Sequence, residues 1–242
     1  MRAALILVST IALAACGFSA GAQDNDEPRG GPRAERMFDV GSFDAVSLAG
    51  PHDVVVTVGP AVSVRAEGPS HELDRLEIEV RGDSLSIGTN RDSWIGSSRG
   101  EGVIVRVTVP RLTGASVAGS GDLSIDRVEG DNFSGSVAGS GDLEIAALAV
   151  RDARFSIAGS GDIKAAGRAD RTSAKIAGSG DVDIGRLESA GTEISVVGSG
   201  NVAAHARDTA SVSIMGSGDV TIRGGARCSI KKMGSGAINC QA

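Results

Sequence analysis

The chain has 242 residues, a formal net charge of −6, 35 glycines, five Phe, one Trp and no Tyr. With no basic block and almost no aromatic platforms it lacks the footprint of a nucleic-acid binder. Glycine at about twice ordinary usage, without a three-residue period, excludes collagen and points to many turns around a core of small and branched aliphatics.

The first segment, "MRAALILVSTIALAAC", has one cation at Arg2, an apolar run over 3–13 and then small residues. This is the pattern of a secretory signal peptide, and the run is shorter than the roughly 20 residues a membrane-spanning helix needs. "LAAC" at 13–16 resembles the lipobox of bacterial lipoproteins. That resemblance implies removal of residues 1–15 and a lipid anchor on Cys16. Gly17 does not match the Asp that retains lipoproteins at the inner membrane, so the outer membrane is the expected destination. Cleavage after "AGA" at 20–22 is the alternative. Residues 16–36 are polar, Gly-containing and Pro-containing, and read as a flexible tether.

Residues 37–110 form a β-rich N-terminal part. "FDAVSLAG", "HDVVVTVG", "AVSVRAEG", "LEIEVRG", "SLSIGT" and "GVIVRVTVP" alternate apolar with polar and are split by Gly or Pro. "PSHELDRL" at 69–76 predicts one helical turn, and "TNRDSWIGSSRGEG" at 89–102 a long exposed loop, with Trp94 as a candidate partner contact.

Residues 111–242 repeat one phrase. "GSGD"-like turns begin at Gly119, Gly139, Gly159, Gly178, Gly198, Gly216 and Gly234. Two residues before the turn stand Val117, Val137, Ile157, Ile176, Val196 and Ile214; four residues after its first Gly stand Leu123, Leu143, Ile163, Val182, Val202, Val220 and Ile238. Each unit is therefore strand, tight turn, strand, then a more variable connection. No unit can bury its aliphatic face alone, whereas stacked units bury a continuous column. The predicted fold is all-β, a repetitive β-helix (β-solenoid), with a meander of hairpins in a sandwich as the other arrangement that strand-turn-strand units suit.

"FDAVSLAGPHDVVVTVG", "VIVRVTVPRLTGASVAGSGDL", the repeated "GSGD" and a closing "GSGAIN" resemble, in that order, the bacterial head GIN domain of the auto-transporter adhesin type over about residues 37–240. The resemblance implies a secreted, pectin-lyase-like β-helix, often lipid-anchored, with no enzymatic activity to carry over, and adhesion only by name.

Asp122, Asp142, Asp162, Asp181, Asn201 and Asp219 occupy one turn position and predict a line of carboxylates along one edge. Two readings follow: each caps its own turn, or the edge takes calcium at low affinity, hard cations favouring carboxylate oxygen. Cys228 and Cys240 lie six residues either side of Gly234 with the inward parity, and predict a disulfide stapling the last rung of an exported protein. Lys232 replaces the aliphatic residue of earlier units and marks an atypical cap. His52, His71 and His205 are scattered, with no zinc-site spacing. The seven repeated "GSG" serines fit turn geometry and not a lone nucleophile. The expected function is a noncatalytic envelope lipoprotein presenting a rigid β surface, without cofactor, to an envelope or extracellular partner. A carbohydrate-active β-helix enzyme and a purely structural envelope protein are the alternatives.

Overall fold

The computed structural model describes residues 32–90 and 102–241. The expected signal peptide, Cys16, most of the expected tether and Trp94 lie outside the described residues. Among the described residues no helix is long and apolar enough to cross a membrane.

The N-terminal part contains β1 (Arg33–Phe38), β2 (Ala45–Gly50), β3 (Asp53–Val58), β4 (Ser63–Pro69), α1 (Ser70–Leu73), β5 (Leu76–Arg81), β6 (Ser84–Thr89) and β7 (Ile104–Val109). The repeats supply β8 (Gly114–Gly119), β9 (Leu123–Ile125), β10 (Val128–Gly139), β11 (Leu143–Gly159), β12 (Ile163–Gly178), β13 (Val182–Gly198), β14 (Val202–Gly216), β15 (Val220–Arg223), β16 (Arg227–Met233) and β17 (Ile238–Cys240). The expected tether gives way before residue 36. At Arg33 the chain enters β1, an edge strand with no apolar alternation, held by antiparallel pairing from Arg33↔Pro69 to Phe38↔Val64 and by Arg36, which donates to the Leu73 carbonyl at 2.8 Å.

The repeats form a β-solenoid. Strands on either side of a turn pair in parallel with the next unit and not with each other, which rules out the hairpin meander. Val117 lies beside Val137, then Ile157, Ile176, Val196 and Ile214. The after-turn column runs Leu123, Leu143, Ile163, Val182, Val202, Val220 and Ile238. Nearly all of both columns is buried. The connections expected to be irregular are strand as well. β11 continues for 17 residues, and the corner is a register shift between Ile145 and Leu148 inside its ladder with β12. A parallel neighbour on each side satisfies the backbone at the corner, so the chain need not leave the ladder there.

The two turn glycines are imposed by stacking. Gly139, Gly159, Gly178 and Gly216 hold φ of 136° to 140°, and a Cβ there would stand 1.9 to 2.3 Å from the carbonyl oxygen of the equivalent glycine one rung earlier. A Cβ on the second glycine of each of these turns would meet the preceding rung's carbonyl at 2.0 Å, as at Gly161 against Gly141. The repeated phrase thus encodes backbone-to-backbone contact between rungs.

The N-terminal part belongs to the same stack. "SLAGPHDVVV" lies in register on "SVAGSGDLSI": Ser47↔Ser116, Leu48↔Val117, Gly50↔Gly119 and Val54↔Leu123. On its other side lie β6, parallel to β2, and β7, parallel to β3. Spatial order along the axis therefore departs from chain order. β5 pairs antiparallel with β6, and β4 with β7, closing this end. His52 takes the place of the second turn glycine. His52 is buried, with Nε2 2.9 Å from Thr89 Oγ1, and burial lowers its pKa from 6.5.

Core volume is traded between neighbours. Gly135 stands where adjacent rungs carry Ala115 and Phe155, and a Cβ there would press on Leu143 and on the rings of Phe155 and Phe133, whose centroids are 6.5 Å apart. At the far end the Cys228–Cys240 disulfide forms as expected across the last rung. Lys232 lies in the inward column beside Ile214 and donates from Nζ to the Gly236 carbonyl at 2.9 Å.

Candidate functional site

The carboxylate edge predicted from the repeats is present, but its capping runs between rungs and not within one turn. Asp122 Oδ1 accepts the Asp142 amide at 3.0 Å, Asp142 the Asp162 amide at 2.9 Å, Asp162 the Asp181 amide at 2.9 Å and Asp181 the Asn201 amide at 2.7 Å. Asn201 Oδ1 accepts the Asp219 amide at 3.0 Å, and Asp219 Oδ1 the Ala237 amide at 2.7 Å. A charge-assisted bond to a backbone donor is how each carboxylate tolerates the next in line. Asn201 serves equally because the bond needs an acceptor, not a charge. Among the described residues no group of three or more His, Cys, Asp or Glu is arranged to hold a metal ion. The edge is accounted for as a rung-to-rung clamp.

The surface with the strongest claim to recognition lies before the turns, on the outward side of β11–β14. Parallel register sets Asp152, Arg154 and Ser156 beside Arg171, Ser173 and Lys175, then Gly191, Glu193 and Ser195, then Thr209, Ser211 and Ser213. Period-two alternation turns every second residue outward, and rungs repeat at about 4.8 Å, so the result is a fixed polar grid. Gly191 leaves a gap in the row between Arg171 and Thr209, within a groove of about 600 Å³. Along its margin Asp152 accepts from Arg171 Nε at 2.8 Å and Nη2 at 3.1 Å. The Arg171 hydrogen bond holds the Asp152 carboxyl below its ordinary range. Under the grid the interior is polar at one place: Thr172 and Thr192 share a hydrogen bond at 2.7 Å, Thr192 and Ser189 one at 2.8 Å, and Ser189 donates to the His205 carbonyl at 2.8 Å.

The groove residues were not singled out from sequence. They fall where the connection merges into the next strand, and their two-residue alternation becomes visible only once rungs are aligned through the corner. The predicted sites are dispersed. The acidic clamp runs along the turn edge and the disulfide closes the last rung. The histidines do not converge on one centre: His52 is in the closed end, His71 is on α1 at 3.4 Å from Glu72, and His205 is on β14.

A protein-family model described as "Putative auto-transporter adhesin, head GIN domain" matches residues 42–226. The chain belongs to that family, which marks it as an extracellular or envelope protein. Among solved structures it is similar to a putative adhesin from Bacteroides fragilis, with a TM-score of 0.82 at 22% identity over 87% of this chain and 97% of that one. A structure described as a putative lipid binding protein from Parabacteroides distasonis gives a TM-score of 0.68 at 22% identity over 88% and 98%. A putative adhesin from the same organism gives 0.70 at 18% identity over 87% and 98%. At these identities the likeness concerns the fold. No curated protein matches the chain.

Proposed function

From membership in this family, we propose that the chain is a noncatalytic contact module of the bacterial envelope, anchored through lipid on Cys16 to the outer membrane and presenting its rung face to an envelope or extracellular partner. The observation that carries this reading is the register-locked grid around Gly191. Eight consecutive pairings from Gly191↔Thr209 to Gly198↔Gly216 fix one pair of its rungs, so the surface is organised before a partner arrives. Ser, Thr, Arg, Lys, Asp and Glu on that face offer both hydrogen-bond donors and acceptors. The serines of the "GSG" turns lie between stacked glycines, where their repetition serves the turn.

The test is crosslinking of the full chain on living cells, with mass spectrometry of adducts and a Cys16→Ser comparison. A reproducible adduct that disappears in the comparison supports an anchored contact module. Membrane-fraction protein without any adduct supports a purely structural role instead, and turnover of an acidic or neutral polysaccharide by the purified chain would revive the enzymatic alternative.

A further inference from the structure

Five large apolar side chains are exposed among the described residues, and four of them gather at the C-terminal end of the stack: Val197 at 51%, Met215 at 52%, Ile230 at 48% and Met233 at 70%. Val197, Met215 and Met233 form one outward row, since Val197 pairs with Met215 and Met215 with Met233. The same row carries Ala118, Ala138, Ala158 and Ala177 in the earlier rungs, so side-chain size rises only toward this end. Ile230 belongs to the inward column, beside Val212, and is uncovered because β16 has no further rung over it.

Charge in the last rung, beyond Asp219, is one-sided. After Asp219 the sequence has Arg223, Arg227, Lys231 and Lys232 and no Asp or Glu, in a chain whose net charge is −6. Arg227 and Lys231 are exposed on the same outward face as Met233. In their sheet the nearest carboxylates are the exposed Asp208, next to the Thr209 that pairs with Arg227, and Glu193, two rungs back behind Ser211 and Ser229. Asp219, in the preceding turn, commits Oδ1 to the Ala237 amide. The acidic residues of the closed end lie about seven rung spacings away, on the order of 34 Å, beyond three Debye lengths at ordinary salt.

We propose that this end is a docking surface for an anionic phospholipid layer, with Met215, Met233 and Ile230 entering the headgroup region and Arg227 and Lys231 binding lipid phosphates. Exposed flexible apolar side chains flanked by long cations match the amphipathic surface of such a layer, and a fluid layer requires no shape complementarity. A second copy stacking on the open edge is disfavoured by Lys232, whose charge would be enclosed by any rung laid over the inward column. The proposal goes beyond the contact-module reading and uses different residues.

The test places a Trp probe in the patch of the full chain, in a Trp94→Phe background so that Met233→Trp is the sole emitter. Vesicles contain either brominated phosphatidylcholine or phosphatidylcholine with brominated phosphatidylglycerol. The probe reports its own depth whether or not Cys16 is acylated, so its failure is separate from failure of the anchor or of the cellular contact. The expected result is a blue shift and about twofold or greater quenching with phosphatidylglycerol only, abolished by Arg227→Glu with Lys231→Glu. Ala118→Trp, in the same row near the other end, stays unquenched. Circular dichroism confirms that the charge-reversed chain retains its sheet. Equal quenching by both vesicles, none by either, or quenching that survives charge reversal would overturn the proposal. So would a blue shift that grows with protein concentration without vesicles, which indicates a second copy, or one produced by polyglutamate in place of vesicles, which indicates an acidic protein partner.

Discussion

Gly161→Ala isolates the stacking contact on which the solenoid rests. The added Cβ would sit 2.0 Å from the Gly141 carbonyl oxygen and 2.9 Å from Val137 Cγ1. Relief to ordinary contact demands a displacement of more than about 1 Å, a fifth or more of the roughly 4.8 Å between rungs. That movement opens the bonds from the Ser160 and Gly161 amides to the Gly139 carbonyl, now 2.8 and 3.1 Å. Two backbone bonds at about 1 kcal/mol each, with about 1–3 kcal/mol for overpacking a rigid core, give a loss of about 3–5 kcal/mol. Gly41→Ala is the comparison, because a Cβ there meets nothing within 4 Å. Urea unfolding followed by far-UV circular dichroism measures the difference. Rungs interact with their neighbours, so hydrogen exchange should rise first in the 137–163 region. If Gly161→Ala lies within about 0.5 kcal/mol of Gly41→Ala, the glycines are not imposed by stacking and this account of the repeat is wrong.

Asp162→Ala leaves the Asp181 amide without its acceptor and should cost about 1–2 kcal/mol in urea unfolding, while Asp162→Asn should be nearly neutral, since Asn201 already fills the same role. Equal losses for the two would mean that charge, not the acceptor, is required. Cys228→Ser with Cys240→Ser opens a linkage across 12 residues and should weaken the last rung by about 2–3 kcal/mol, seen as faster hydrogen exchange over 227–240 with the central rungs unchanged. For His52 the folded pKa lies below the value of 6.5, so the unfolded chain takes up the proton first. Stability is then constant above about pH 6.5 and falls as the pH drops from 6.5 toward the depressed folded value. His52→Gln should flatten that part of a denaturation-against-pH profile, and an unchanged slope would remove His52 as its source.

The two-residue alternation around each "GSGD" was legible because the units stack in unbroken register, and the inward parity of Cys228 and Cys240 sufficed to place their bond. The rung at 45–58 was hidden by Pro51 and His52, which replace the Ser and Gly of the repeated turn. The order of rungs was hidden because β6 and β7 return to the opposite side of β2 and β3, a long-range choice that no local pattern records. From sequence the Asp positions allow a cap on each one's own turn or a calcium edge, because only local partners are visible there. Parallel stacking instead brings the amide 18 to 20 residues later within 3.0 Å. The groove at Gly191 escaped notice for the same reason: its walls come from four rungs and meet only after the corner is aligned.

The proposed contact of the outward face of β11–β14 with a partner is tested most directly in living cells. A photo-crosslinking amino acid at Ser173, in the grid, and another at Ser124, outward on β9 on the other side of the turns, would be activated in living cells. The account predicts a defined adduct from Ser173 and none from Ser124. Adducts of equal yield from both positions, or none from either while the protein is present in the envelope, would contradict it.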